Sequence, residues 1–564
     1  MKKTLAYGLL VLASASAQAT NYYFSDCQAG ADAMCVPGND ANPGTSPTAP
    51  KRSLAAANTL LNSASAGDQI LLAKNGSWTP EGTAFYTGND RGRASNHIVI
   101  ADYTPNGYSG SAKPLIKLTG KAASCLIITT NGDIAHHKEG FTFKNIKCMG
   151  KGMTGAAADA TGIFTYNDTS DVLLENLDIS GFGIGVYPGP GNEPSATTAR
   201  LTLRNSYIHD NSTQGLFGGG PATLIEGNTF DNNGFYPAPL FKYHNIYLAV
   251  PDNSFYTLSG SVVRGNTLTR SGVCNAQTSY ACGTMGQCQS VSLVVHGVTN
   301  DLVIENNIID ETPGATGTCY GIQVAGGSSH AESYAGTIVR GNRVSNVGST
   351  AIELGSCQHC QIEDNVIAWT ASPQFTVQGV VANTASREDA VGSDLTIRNN
   401  SIYITGTSTA NTGIFQLTGS GNNVVNNLIF FGANTSASAR CFNTTNLSIA
   451  NFNAFDYNLC YSDRPDHAVQ YSQAYAKLAG NTGAQAAGFD VHGKNVNPLI
   501  TMPSPGNGYS MALSSLNSPA ASGGHPSLSK RLGYHGALSP NSPSFIGAYP
   551  YRPLIIAPAS PTPY

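Results

Sequence analysis

Charge is the scarcest property of this 564-residue chain: 30 Lys+Arg and 34 Asp+Glu make up 11% of it, against roughly 25% in ordinary soluble domains. With a formal net charge of −4, it lacks the basic footprint of a nucleic-acid binder, so no nucleic-acid partner is expected. Tryptophan is almost missing, with Trp78 and Trp369 alone. No run beyond the N-terminus reaches the roughly 18 apolar residues of a membrane helix, so membrane insertion is not expected either. This is not the low charge of a disordered tract, because 41% of the residues are hydrophobic and a large core is within reach. What replaces charge is glycine, 62 residues of it, with Asn, Ser, Thr and β-branched residues. That composition points to an all-β exported protein.

The N-terminus agrees. Lys2 and Lys3 precede an apolar run from Leu5 to Leu12, and Ala17-Gln18-Ala19 is a small-x-small cleavage site. Residues 1–19 are expected to be a signal peptide, leaving a secreted protein, extracellular or periplasmic. All 12 cysteines follow it, an even number suited to disulfides in an oxidising space. Cys27–Cys35, Cys357–Cys360 and Cys441–Cys460 are expected as local bridges, with the remaining connectivity open.

A repeat organises the chain. From residue 143 a pattern recurs: apolar, charged, any, usually Asn, any, apolar. The charges are Lys144, Glu175, Arg204, Glu226, Arg264, Glu305, Arg340, Glu363 and Arg398, spaced 22 to 41 residues apart. A short strand with a variable return loop of this length is one coil of a β-solenoid. The signs alternate without an error. Equivalent positions stacked about 4.8 Å apart would repel if alike and attract if opposite. Two positions beyond the charge stand Asn228, Asn266, Asn307, Asn342, Asn365, Asn400 and, in a coil where Val425 replaces the charge, Asn427. Stacked Asn amides can form a hydrogen-bonded ladder, and Asn tolerates the left-handed corner of a solenoid.

A second strand family follows in each coil, including Gly183–Val186, Asn245–Leu248, Gly321–Val324 and Ala351–Leu354. Period-2 alternation sends Ile184, Ile246, Ile322 and Ile352 inward and Tyr247, Gln323 and Glu353 outward. Residues 52–64, with Leu54, Ala57, Leu60 and Leu61 at helical spacing, are expected to cap the first coil. The expected organisation is a cap with the first coils at 20–110, a single-stranded parallel β-helix of ten to twelve coils at 111–465, and a capping segment with a loose tail at 466–564.

This pattern resembles the right-handed parallel β-helix, or pectate-lyase-like, superfamily. The segment Gly38-Asn39-Asp40-Ala41-Asn42-Pro43-Gly44-Thr45, the helix, and Gly67-Asp68-Gln69-Ile70-Leu71-Leu72 are similar to the N-terminal cap of many such secreted proteins. Ile546-Gly547-Ala548-Tyr549 resembles their usual ending. The resemblance implies polysaccharide processing by a lyase, hydrolase or epimerase. Several subfamily signatures are missing: Asn-Thr-Asp, Gly-His-Gly and Arg-Ile-Lys of the polygalacturonase type, Trp-Ile-Asp-His of the main pectate lyases, and Asp-Pro-His-Asp of the epimerases.

Loop length marks the candidate site. Glu226 to Arg264 and Arg264 to Glu305 are the two longest intervals, and Phe241-Lys242-Tyr243-His244-Asn245-Ile246-Tyr247-Leu248 lies between them. Lys242, His244, Tyr247 and His296 are expected to line one outer groove roofed by 231–243 and 271–290, with Arg270 ending the intervening coil. Tyr243, Phe217, Gln323 and Glu353 are expected to bind substrate. β-Elimination at a uronate needs a base for the C5 proton, a cation or donors for the carboxylate, and a proton for the departing O4. Tyr247 is the expected acid/base, activated by Lys242 or Arg270 if it is to act as a base. The bland alternative makes Tyr247 a stacked surface aromatic and His244 a turn hydrogen-bonder.

The expected function is a monomeric lyase acting on an acidic polysaccharide. A glycoside hydrolase and a non-catalytic glycan-binding or adhesive β-helix are the alternatives. A hydrolase needs two carboxylates about 5–9.5 Å apart, and Glu353 is the single one on the exposed stack, with Asp231, Asp252 or Glu332 available from loops. No motif demands a cofactor. Ca2+ is the one ion admitted, through Asp231, Asp252 and Asp310, whose spacing is not diagnostic.

Overall fold

The computed structural model describes residues 19–549 apart from 130–136, 153–159, 166–168, 190–198, 236–242, 250–256, 274–285, 313–316, 326–331, 383–391, 409–410, 417–418, 445–446, 467–468, 529–531, 534–536 and 539–543. The expected signal peptide, except Ala19, lies outside the described residues, as do Lys242, Asp252, Cys274 and Cys282.

The chain winds as a solenoid in which each coil adds a parallel strand to three long sheets of 14, 13 and 13 strands. One coil runs Leu224–Glu226 in the first sheet, Thr229–Asp231 in the second and Ile246–Ala249 in the third. Its first-sheet inner row stacks Phe143, Leu174, Leu203, Ile225, Val263, Ile304, Val339, Ile362 and Ile397, all buried. Neighbouring coils thereby share one continuous apolar core, which no coil builds alone.

The charge ladder forms as the alternation requires. Glu175 pairs in register with Lys144 and Arg204, and the row continues unbroken through Glu226, Arg264, Glu305, Arg340, Glu363 and Arg398. Each arginine reaches the preceding glutamate, as in Arg264–Glu226 at 2.6 Å and Arg340–Glu305 at 2.7 Å. The Asn ladder stands beside it, fully buried. Asn266 Nδ2 donates to Asn307 Oδ1 at 2.9 Å, Asn307 Nδ2 to Asn342 Oδ1 at 3.0 Å, and the chain of bonds runs on to Asn458. The left-handed corner belongs to the residue before the ladder Asn, not to the ladder Asn itself. Gly227, Gly265, Asn306, Gly341, Asp364, Asn399 and Asn426 all have positive φ there. Glycine or a short polar side chain fits that conformation, and the ladder Asn is left to satisfy backbone groups of the corner.

The coils extend beyond the stretch where the repeat is legible, from Asn21–Phe24 to Gln470–Ser472. The helix spans Leu54–Ser63, with Leu54, Ala57 and Leu61 buried on the core and the Ser53 hydroxyl accepting from the Ala56 N–H. At the other end the chain folds back over the second sheet. Tyr509, Met511, Leu513, Ile546 and Ala548 pack there on Val366, Ala368, Tyr403, Leu428 and Phe430. The three expected disulfides are present, with Cys125–Cys148 and Cys288–Cys319 in addition. One inward assignment needs correction: Ile184 aligns with Gln214 and is half-buried, whereas Val186 aligns with Leu216 and takes the inner row. The strand is entered one alternate position earlier than in later coils.

Candidate active site

The outer face of the third sheet carries the candidate cluster; most of the two expected roofing loops, 236–242 and 274–285, lies outside the described residues. Strand alternation buries Ile246 and Leu248 completely and leaves Tyr247 between them half-exposed. Tyr247 pairs in register with Phe217 on one side and Val294 on the other, and the next rungs of the row are Gln323 and Glu353. His296, on the neighbouring strand, brings its ring to 5.5 Å from that of Tyr247, and His244 brings its own to 5.1 Å, both edge-to-face.

The two histidines are held differently. His244 is 2% exposed. Its Nδ1 lies 3.2 Å from the backbone nitrogen and 3.1 Å from the backbone oxygen of Val291, so one neighbouring residue holds the ring. His296 is partly exposed, and its Nδ1 lies 3.2 Å from Glu332 Oε2. A carboxylate only accepts, so Nδ1 carries the proton and neutral His296 has a bare Nε2 able to take another. Glu332 is itself buried and accepts the Tyr334 hydroxyl at 2.5 Å. Beneath this cluster Glu311 is fully enclosed, accepting from the Ser271 N–H at 3.1 Å and the Ser292 hydroxyl at 3.3 Å. Burial pushes its carboxyl up to about 8. Its enclosure keeps it from acting as an exposed base.

Residues 127–338 match the family model described as right handed beta helix region. The chain is a right-handed parallel β-helix. No curated protein matches the sequence. Among solved structures, an alginate lyase from Paenibacillus sp. is 16% identical, with a TM-score of 0.36 over 61% of this chain and 95% of its own. A pectate lyase is 13% identical, with a TM-score of 0.33 over 95% of this chain and 98% of its own. A lacto-N-biosidase from Eubacterium ramulus is 16% identical, with a TM-score of 0.29 over 80% of this chain and 66% of its own.

The β-helix does not gather every residue expected at the site. Arg270 is taken up by Asp231 at the edge of the second sheet, through both Nε and Nη2, and does not join Tyr247. The reason is register: Asp231 and Thr269 stack directly, so the residue after Thr269 meets that carboxylate first. Tyr243 is half-buried before the strand. Gln323 Nε2 donates to Glu353 Oε2 at 2.7 Å, two polar rungs holding each other. Asp231 and Asp310 are separated by the rung of Thr269, and Asp310 accepts from the Ser345 hydroxyl; Asp252, the third residue of the expected calcium set, lies outside the described residues. Among the described residues no cluster of three acidic, His or Cys side chains could hold a metal ion.

A charge network of the described residues lies elsewhere, on the second sheet. His209 bridges Asp178 and Asp210, at 3.2 and 2.6 Å, and Lys147 also reaches Asp178. Burial lowers the His209 pKa, but the bonds to Asp178 and Asp210 outweigh it and raise it to about 9. Burial likewise raises Asp178 and Asp231, yet their hydrogen bonds leave both below the usual carboxylate range, and Asp210 is lowered by His209. Every acid there is compensated and held ionised, which suits structure more than proton donation. Glu332, considered in the sequence only as a loop carboxylate, is the site residue whose role was missed. Nothing in the repeat marks a return-loop residue as the partner of His296.

Proposed function

We propose that this β-helix is a secreted, monomeric polysaccharide lyase that cleaves a uronate-containing chain by β-elimination at Tyr247. The observation that carries the reading is the pairing of two proton-transfer groups side by side on one rigid face: the Tyr247 phenol and His296, the latter oriented through Nδ1 by buried Glu332. His296 Nε2 takes the C5 proton, the C5–H electrons form the C4=C5 double bond, and the C4–O4 bond breaks. The Tyr247 hydroxyl protonates the departing O4. A phenol's ordinary pKa near 10 suits this donor role, which needs no adjacent cation. His244 buttresses the Tyr247 ring from below. Lys242, outside the described residues, keeps its proposed part as counter-charge to the uronate carboxylate, with Gln323 and Tyr243 as donors along the groove.

Lyases and a biosidase both stand among the solved structures of similar fold, so the choice between elimination and hydrolysis rests on the site. A hydrolase needs one carboxyl poised as an acid opposite a second carboxylate. Glu332 is engaged by His296 and Tyr334, and Glu353 by Gln323. Incubating the purified protein with alginate, polygalacturonate and a glucuronan, while following ultraviolet absorbance of the unsaturated uronate, decides the matter. Absorbance and reducing ends should rise together. Reducing ends without absorbance would make the protein a hydrolase.

A further inference from the structure

The rungs before Tyr247 carry aromatic rings at the same outward position. Phe217 lies 5.1 Å from Tyr247 between ring centroids, Tyr187 5.1 Å from Phe217, and Phe164 5.0 Å from Tyr187. The last two pairs are stacked, with planes 23° and 21° apart. All four rings are half-exposed. Past Tyr247 the row changes character to buried Val294 and then polar Gln323 and Glu353. Tyr247 therefore stands at the junction of an aromatic and a polar half of one row.

Rings stacked along a row turn their faces to one another and their edges away from the sheet. The face of an aromatic ring is negative and the edge positive. The ladder thus offers a strip of weakly positive edges to a ligand rich in oxygen. Among the described residues the aromatic half of this row contains no carboxylate to repel an anionic chain. We propose that Phe164, Tyr187 and Phe217 form an extended binding strip for consecutive residues of an acidic glycan lying parallel to the solenoid axis. The rung spacing of about 4.8 Å is close to the length of one pyranose, so each rung meets about one sugar. The inference rests on the elimination reading only in placing the cleaved bond at the Tyr247 end of the strip.

The test is calorimetric binding of dimers and octamers of mannuronate and galacturonate, and of a neutral β-glucan octamer, to the full chain and to Phe164→Ala and Tyr187→Ala. Each variant should bind the acidic octamers about tenfold more weakly than the unaltered chain, in line with loss of one aromatic anchor, and the dimers equally well. The unaltered chain should prefer acidic to neutral octamers. Phe164→Leu and Tyr187→Leu keep the bulk of the row and lose the ring edges, so they decide the matter if the alanine variants do not fold. Unchanged octamer binding in the folded variants, equal loss for dimer and octamer, or no octamer binding by the unaltered chain would each overturn the strip. Octamer binding that depends on the strip without any unsaturated product would leave the strip standing and remove the lyase reading.

Discussion

Glu332 and His296, 36 residues apart in the chain, meet at 3.2 Å between Oε2 and Nδ1, and the Tyr334 hydroxyl closes on the same oxygen. The contact fixes which ring nitrogen of His296 carries the proton. Glu332→Gln can turn its amide NH2 toward Nδ1 and so favour the wrong tautomer. Turnover of the folded variant on a uronate polymer should fall about 10²-fold with KM little changed, and Glu332→Asp should recover part of it. Equal changes in kcat and KM would argue that Glu332 acts on substrate binding instead.

Tyr247→Phe removes one hydroxyl and keeps the ring packed against Phe217. Turnover should drop about 10²-fold or more if that hydroxyl transfers the proton. His244→Ala should fall similarly, because the ring edge holding Tyr247 is lost. Gln323→Ala, two rungs away, should mainly raise KM. Full activity in folded Tyr247→Phe would remove Tyr247 from the chemistry.

The charge ladder should not be energetically uniform. The side chains of Glu226 and Arg264 are 34% and 44% exposed, whereas those of Glu363 and Arg398 are 1% and 18% exposed. Glu226→Ala should cost under about 1 kcal/mol. Glu363→Ala leaves a guanidinium in a poorly solvated place and should cost about 3 kcal/mol. Chemical denaturation of the two variants measures the difference, and equal costs would refute the burial argument.

Asp490 ends the Asn ladder, accepting from Asn458 N–H at 2.9 Å and from the Tyr471 hydroxyl at 2.7 Å. Burial pushes its carboxyl from 3.8 up to about 7. The folded state therefore holds this proton more tightly than the unfolded one. Its contribution is complete below about pH 4 and is lost as pH rises towards 7. Asp490→Asn continues the ladder without an ionisable group. The variant should melt a few degrees higher than the unaltered chain above pH 7, and its melting temperature should fall less between pH 5 and 8. Glu311 and Asp364, both raised to about 8 by burial, keep part of the slope in either protein. An identical pH dependence in the two would show that Asp490 does not titrate in this range.

Much of the fold is written in local pattern. The alternation from Lys144 to Arg398 specifies both the coil and its register, because only stacking in that order pairs every charge with its opposite. The first coils carry no such signature, so their strands from Asn21 onward were invisible to it. The outward placement of Tyr247 and its strand's pairing with that of His296 followed from period-2 alternation and coil order. The fate of Arg270 did not, since its capture by Asp231 depends on which neighbour lies nearest at the edge of the second sheet.

By itself the sequence determined whatever repeats from coil to coil: the inner apolar rows, the alternating charges and the Asn ladder, all set by one strand spacing and one period. The tertiary structure decided what happens once. It brought Glu332 from a return loop to His296, buried His244, and lined Phe164, Tyr187 and Phe217 up with Tyr247. Those contacts join residues 23 or more positions apart through loops of unequal length, and no periodicity along the chain encodes where such loops return.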